Sequence, residues 1–111
     1  MNMQAWLKEQ MAADRRRAMP ILSFPSIQLM GITVKDLIAD SDVQARGMYE
    51  IARRCPTAAA VSMMDLSVEA ECFGAQIRVS DDEVPTVVDS VVETPEDPEA
   101  LQVPAFGTGR T

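Results

Sequence analysis

The sequence predicts an α/β fold, and three observations support this prediction. Residues 20–24 and 58–63 are apolar runs without polar alternation, a pattern typical of strands that are covered on both faces. A helical pattern follows each run after a short connection, and this order favours parallel strands joined by a right-handed crossover. Because two parallel strands cannot bury both faces of a sheet, we expect them to pair with further strands.

Residues 3–17 predict a helix that precedes the first strand. Its apolar residues recur at steps of four and are Met3, Leu7 and Met11. Arg15, Arg16 and Arg17 follow at its carboxyl end, where positive charge interacts favourably with the helix dipole. We therefore expect an N-terminal helix that flanks the fold.

The chain between the two predicted strands indicates three helical segments. Residues 26–30 fit a single helical turn that a glycine ends, and Thr33 is placed to cap a helix over residues 34–39. A longer helix is predicted over residues 41–55, where a proline ends it. The apolar stripe of this helix consists of Val43, Gly47, Met48, Ile51, Ala52 and Cys55.

The chain after the second predicted strand indicates a helix, a hairpin and a short second helix. The first of these helices runs to Gly74, since glycine is common just after a helix end. Its buried face is expected to consist of Leu66, Ala70 and Phe73. Residues 76–80 and 86–92 predict the strands of a hairpin around the acidic turn at residues 81–83. Residues 94–101 predict a helix that starts at Thr-Pro-Glu-Asp, and a loop follows it.

The distribution of charge and of apolar residues excludes two classes of partner. Residues 1–54 hold eight bases and six acids, whereas residues 55–111 hold eleven acids and only two bases, Arg78 and Arg110. Such an acidic half cannot form the basic patch that drives nucleic-acid binding. The apolar stretch at residues 18–34 is too short and too broken by prolines to span a membrane. We expect neither a nucleic acid nor a membrane as partner.

The chain offers few residues for a metal or anion site. It has no histidine, and two cysteines, Cys55 and Cys72, cannot form a four-ligand zinc site. Free cysteines are usually buried, so we interpret both as buried thiols. Residues 107–110 lack the lysine and the glycine spacing of a phosphate-binding loop. No export signal follows the arginines, and the sequence therefore predicts a cytoplasmic protein.

Several short segments occur along the chain in a specific order. The main ones are Ala58 to Met63, the turn Met64-Asp65-Leu66, residues 68–75 and residues 81–87, with support from residues 19–22, 30–33 and 94–104. In this order they resemble the uroporphyrinogen decarboxylase family over nearly the whole chain. The closer resemblance is to its methylcobamide:coenzyme M methyltransferase branch.

The resemblance implies a fold and the location of a site. The fold is the N-terminal fragment of a TIM (β/α)₈ barrel with an N-terminal helix and an inserted β-hairpin. Residues 1–18 would form the flanking helix, and residues 19–111 would form the first βα units of a barrel that is truncated before its later strands. Active sites of such barrels lie at the carboxyl ends of the strands. Here those ends are residues 24–26 and 63–65.

Asp65 is the candidate catalytic residue of this pocket. By motif it resembles the aspartate that decarboxylase members direct at the pyrrole nitrogens of their substrate. The alternative is that Asp65 only caps the following helix. Glu69 lies on the same side of that helix and is either a second pocket carboxylate or a solvated helix residue. The other candidate substrate-binding residues are Ser26, Gln28 and Met64.

The segment after the first predicted strand favours one branch of the family. Decarboxylase members carry arginines there, which suit a substrate with many carboxylates, but residues 26–30 read Ser-Ile-Gln-Leu-Met. The resemblance therefore favours the methyltransferase branch, in which zinc held by one His and two Cys activates a thiol that takes a methyl group from a methylcorrinoid. Those ligands lie in later strands, so we expect this chain alone to bind neither zinc nor the corrinoid.

Three functions remain open from the sequence. The first is the N-terminal portion of a corrinoid-dependent methyltransferase that has a corrinoid protein as partner and is inactive as an isolated fragment. The second is a uroporphyrinogen decarboxylase of porphyrin and heme biosynthesis, and the third is a non-enzymatic acidic module that docks on a basic protein. Uncovered strand edges also predict association with the remainder of the barrel or with other copies of the chain.

Overall fold

The computed structural model describes residues 2–110, which form six helices and one two-stranded sheet. The elements are α1 (Met3–Ala12), α2 (Ser26–Met30), α3 (Val34–Ala39), α4 (Ser41–Arg54), α5 (Val68–Cys72), β1 (Ile77–Arg78), β2 (Thr86–Val87) and α6 (Asp97–Ala100). Over this range no helix combines the length and the apolar character needed to cross a membrane.

Helices α2 and α3 have the bounds that the sequence predicts, and α4 starts as predicted and ends one residue early, at Arg54. Gly31 ends α2 in the left-handed conformation, with φ 65°. Thr33 starts α3 with a reciprocal cap, because its hydroxyl accepts from the Asp36 amide at 3.1 Å while the Asp36 carboxylate accepts from the Thr33 amide at 2.9 Å. Asp40 caps α4 by accepting from two amides of its first turn. Local capping therefore accounts for this helical region.

The core lies where α2 and α3 pack against α4. Val34, Leu37 and Ile38 of α3 are its buried apolar residues. Gly47 of α4 allows a close approach to α2, since a Cβ atom there would lie 2.7 Å from the Ser26 hydroxyl oxygen. The buried Ser26 hydroxyl donates to the Ser23 carbonyl at 2.6 Å, so it brings no unsatisfied polar group into the contact.

The predicted strands at residues 20–24 and 58–63 are wrong as strands, because both segments are irregular. The Ala58 amide donates to the Ala18 carbonyl at 2.8 Å, and no ladder follows from it. Both segments nevertheless contact α4, around a small cavity lined by Pro20, Leu22, Met48, Ile51, Ala52, Thr57, Ala59, Ala60 and Val61. A buried parallel sheet needs neighbours on its edges, and residues 2–110 supply none, so no barrel forms within them.

Helix α1 is shorter than predicted and ends at Ala12 rather than at residue 17. Ala13 is already extended, with φ -67° and ψ 137°. Arg16 reaches back from the irregular segment and donates to the carbonyls of Gln10 and Met11 at 3.4 and 3.2 Å. Arg16 thus supplies hydrogen-bond donors to carbonyl groups in the last turn of α1, although it lies outside the helix.

The predicted hairpin is confirmed, although each strand has only two residues. The strands are antiparallel, with Ile77 opposite Val87 and Arg78 opposite Thr86. The connection is attached to α3, because the Val34 amide donates to the Asp81 carbonyl at 2.8 Å. Lys35 adds an exposed ion pair to the Asp81 carboxylate, also at 2.8 Å.

The last helix and the packing of α5 differ from prediction. Helix α6 starts at Asp97 rather than at Thr94, and the Asp97 carboxylate accepts from the amides of Glu93 and Thr94 at 2.7 and 2.8 Å. The predicted buried face of α5 is wrong, because Leu66 is 80% exposed and Phe73 is also exposed. No described element covers them. The radius of gyration is accordingly 17.7 Å, compared with about 13 Å for a compact domain of this length.

Candidate functional site

Asp65 lies in the turn between the second apolar segment and α5. One of its oxygens, Oδ1, accepts from the Ser67 amide at 3.0 Å and from the Ser67 hydroxyl at 2.6 Å. The side chain of Asp65 is only 5% exposed, and Ser67 is buried. This is the side-chain turn that aspartate commonly forms at the start of a helix. The alternative that Asp65 caps α5 is not what the structure shows, because Ser67 is the cap residue and no described side chain bonds to an amide of the first turn of α5.

The second oxygen of Asp65 takes part in an ion pair with Arg110. Arg110 Nη1 lies 2.5 Å from Asp65 Oδ2, and Arg110 Nε lies 2.6 Å from Glu71 Oε2. Arg110 Nη2 also donates to the Ser67 hydroxyl at 3.0 Å. One guanidinium group thus joins two carboxylates and a serine, in the fork geometry that arginine offers and lysine lacks.

The electrostatics of this cluster keep Asp65 ionised. Burial opposes the charged form of Asp65, but the hydrogen bonds from Ser67 and Arg110 outweigh it and hold the pKa of that carboxyl below its usual value. Burial likewise opposes the charge on Arg110, whereas Asp65 and Glu71 raise the pKa of its guanidinium. A carboxylate in this state can accept a hydrogen bond or pair with a cation, but it is not suited to donate a proton near neutral pH.

Asp65 lies between two clefts, and Met64 and Leu66 line both of them with it. The first cleft has a volume of about 290 Å³, and its other lining residues are Ile38, Gln44, Met63, Val68, Glu69 and Arg110. The second has a volume of about 400 Å³, and its other lining residues are Ile21, Ser23, Phe24, Pro25, Val84 and Pro85. Small-molecule sites are commonly about 300 to 1,000 Å³, so either cleft could hold part of a ligand.

The structure brings three of the five predicted site residues together. Asp65 and Met64 line both clefts, and Glu69 lines the first. Ser26 lies instead in the α2–α4 contact, where its hydroxyl donates to a backbone carbonyl. Gln28 is exposed and lines neither cleft. A substrate-binding role for Ser26 and Gln28 therefore stays a prediction without support from this geometry.

Sequence reasoning missed Arg110, Ser67 and Glu71 as members of the site. Arg110 follows two glycines with positive φ, 78° at Gly107 and 67° at Gly109, in the segment that returns to α5. One signal pointed to this cluster, since Arg110 is one of only two bases in an acidic half of the chain. Its partners could not be identified from that signal, because 45 residues separate Arg110 from Asp65.

The described residues do not fit a zinc ion. Residues 2–110 contain no group of three or more cysteine or acidic side chains placed to hold a metal, and the chain has no histidine. Cys55 and Cys72 are free and half-buried rather than fully buried. The Cys72 thiol donates to the Thr108 carbonyl at 3.1 Å. A corrin macrocycle is also larger than either cleft, so it could contact only part of its surface here.

Comparisons with known proteins identify one relationship. The family model for uroporphyrinogen decarboxylase (URO-D) matches residues 15–110. The matched range includes both apolar segments, Asp65 and Arg110, and it begins after α1. No curated protein and no solved structure matches the chain.

Proposed function

Because the chain belongs to the uroporphyrinogen decarboxylase family, we propose that it forms the Asp65-bearing part of a corrinoid-dependent methyltransferase. The reaction would move a methyl group from a methylated corrinoid to a thiol. Family membership implies that residues 15–110 are part of a TIM barrel whose remaining strands lie outside them. The metal that activates the thiol would be held by those other strands, since the described residues offer no site for it.

The charge balance around Asp65 is the observation that carries this proposal. Arg110 is the one basic residue that lines either cleft within the described range, and two carboxylates, from Asp65 and Glu71, already pair with it. A substrate with many carboxylates needs guanidinium groups that are free to bind it. The clefts instead combine apolar and thioether side chains with an ionised carboxylate. This lining suits the face of an uncharged macrocycle better than a polyanion.

In this proposal the residues of the chain bind and orient the ligand. Met64 and Leu66 provide apolar contact at the junction of the two clefts. Asp65 accepts a hydrogen bond from an N–H group of the ligand, which its ionised state favours. The same property supports the second candidate, a uroporphyrinogen decarboxylase, because a pyrrole N–H is also a donor to a carboxylate. The two candidates therefore differ in the charge of the ligand rather than in the role of Asp65.

Ligand binding by the chain separates the two candidates. Equilibrium dialysis is run at neutral pH with methylcobalamin and, in parallel, with uroporphyrin, which carries many carboxylates. The two clefts beside Asp65 change the expectation from the sequence that the chain alone binds no corrinoid. We now expect it to retain methylcobalamin and not uroporphyrin. Asp65→Asn should weaken retention by about tenfold or more, because a hydrogen bond to a charged group contributes about 1.5 kcal/mol at the low end and about 1.4 kcal/mol corresponds to tenfold. Asp14→Asn, at an exposed position outside both clefts, is the matched control.

The possible outcomes lead to different conclusions. Retention of uroporphyrin alone would overturn the methyltransferase proposal and favour the decarboxylase. Retention of neither compound would contradict both and would favour the non-enzymatic acidic module. Because Arg110 already pairs with Asp65, Asp65→Asn is also compared within the Arg110→Gln variant. Equal retention there, with and without Asp65→Asn, would remove Asp65 from the binding site whichever compound binds.

A further inference from the structure

The segment at residues 105–110, which we name the strap, turns back and lies against α5. The Thr108 amide donates to the Ala105 carbonyl at 3.1 Å, and this bond closes the turn. The Cys72 thiol donates to the Thr108 carbonyl at 3.1 Å, and a Cβ atom at Gly109 would lie 3.5 Å from the Cys72 sulfur. The strap therefore contacts Cys72, which is half-buried, and carries Arg110 to the Asp65 cluster.

Arg110 occupies the position at which a ligand would contact Asp65. Ser67 already bonds to Oδ1 of this carboxylate, and Arg110 Nη1 takes Oδ2. With both partners present, the Asp65 side chain is 5% exposed. A hydrogen-bond donor on a ligand can approach this carboxylate only when the guanidinium moves away.

We propose that the strap is an autoinhibitory gate, in which Arg110 competes with a ligand for Asp65 and the site opens when the strap lifts. The identity of the ligand rests on the proposed function, whereas closure of the strap over Asp65 is a property of this chain alone. The class of ligand that competes is one with an N–H donor or a cationic group, since it must replace a guanidinium on a carboxylate.

The strap is held against α5 mainly by the charged side chain of Arg110, and this weak anchoring allows it to open. Phe106 is fully exposed, and the other strap residues before Arg110 are also exposed, so little apolar surface anchors the strap. Arg110 supplies three of the four side-chain hydrogen bonds between the strap and α5 or the turn before it. Loss of this single side chain should therefore release the strap while the α2–α4 core stays folded.

Thiol reactivity tests closure without any ligand. Iodoacetamide alkylation of Cys72 and Cys55 is followed by mass spectrometry in wild type, Arg110→Gln and Arg110→Lys. If the open state is populated at about 10% in wild type, release should raise the Cys72 rate by up to about tenfold. The rise is smaller than that to the extent that half-buried Cys72 also reacts when the strap is closed. Cys55, at the end of α4, should keep its rate in all variants and report that the fold is intact. Arg110→Lys should be intermediate, because lysine keeps the charge but not the fork.

Arg78→Gln is the matched control, because it removes the other base of the acidic half from the exposed hairpin. A Cys72 rate in Arg110→Gln equal to that in Arg78→Gln would overturn closure by Arg110. If the alkylation rate of Cys55 in Arg110→Gln rises as much as that of Cys72, the variant is generally unfolded. The test of the gate is then made with Arg110→Lys. A selective rise at Cys72 in that variant supports the gate, and no selective rise overturns it.

Methylcobalamin binding tests the competition. Dialysis with Arg110→Gln should give an apparent Kd about tenfold lower than with wild type or Arg78→Gln, because the binding-competent fraction rises. An unchanged Kd would overturn the gate. If no variant binds methylcobalamin, the proposed function fails. The thiol rates then decide whether the strap closes over Asp65.

Discussion

The α2–α4 region and the Asp65 cluster are held together in different ways. In the first, apolar side chains and a glycine contact pack residues that lie close together in the sequence. In the second, the guanidinium of Arg110 binds side chains that lie 39 to 45 residues before it in the sequence. The apolar side chains of Leu66 and Phe73 beside this cluster stay exposed. Apolar packing responds little to pH or salt, whereas ion pairs respond to both. The stable region and the proposed site can therefore be perturbed separately.

The largest expected effect is on the packed region. Leu37 is completely buried, so Leu37→Ala should lower the free energy of unfolding by about 2 to 5 kcal/mol, from lost burial and the cavity left behind. Urea unfolding followed by circular dichroism measures it. Leu66→Ala removes the same atoms from an exposed site and should change stability by less than about 0.5 kcal/mol. Equal effects of the two substitutions would contradict the described core.

The glycine contact gives the next largest effect. Gly47→Ala places a Cβ atom 2.7 Å from the Ser26 hydroxyl oxygen, and such overpacking costs about 1 to 3 kcal/mol, partly offset by the better helix propensity of alanine. Ser26→Ala in the same chain removes the clashing oxygen. The double variant should therefore lose less stability than the two single variants together. Additive losses in urea unfolding would show that the helices do not meet at this point.

The Asp65 cluster should show a smaller effect that depends on pH. A carboxyl whose pKa is lowered by folding stabilises the fold above its unfolded-state pKa, and this contribution is lost as pH falls through the folded-state pKa. Asp65→Asn should cost about 1.5 kcal/mol at pH 7, the low end for a charged hydrogen bond, because Arg110 keeps Glu71 as a partner. The difference between wild type and variant should shrink below pH about 4. A pH-independent difference would contradict the ionised state of Asp65.

The exposed ion pair between Lys35 and Asp81 should show the smallest effect. Both side chains are more than half exposed, so solvent screens their attraction. Asp81→Asn should leave the midpoint of urea unfolding unchanged within error, with or without added salt. The Asp81 backbone carbonyl that accepts from Val34 is unaffected by this change. A clear loss of stability that salt abolishes would show that the side-chain pair anchors the hairpin.

The sequence predicted best those elements that local interactions determine. Helices α2, α3 and α4 have their caps and glycine stops within a few residues, and these signals can be read directly. The two apolar segments were misassigned as strands, because a strand depends on partners that need not be near in the sequence. Both segments are apolar enough for buried strands, but they stay irregular because no further segment of residues 2–110 pairs with them.

In the candidate site too, the residues within one short motif were predicted, and a residue placed by a contact distant in the sequence was not. Asp65 and Met64 were predicted from one continuous motif, and both line the clefts. Arg110 was missed because its placement depends on backbone turns at Gly107 and Gly109 and on a contact far along the chain. A motif can identify the carboxylate, but only the folded chain identifies its partner.

The hydrogen bond from the Ala58 amide to the Ala18 carbonyl has a directional consequence. It joins the two apolar segments where both begin, and residues 23–25 and 64–66 meet again around the second cleft, where both end. Two segments matched at their beginnings and at their ends run in the same direction. The two segments thus have the relative direction of neighbouring strands in a parallel sheet, although no hydrogen-bond ladder joins them within residues 2–110.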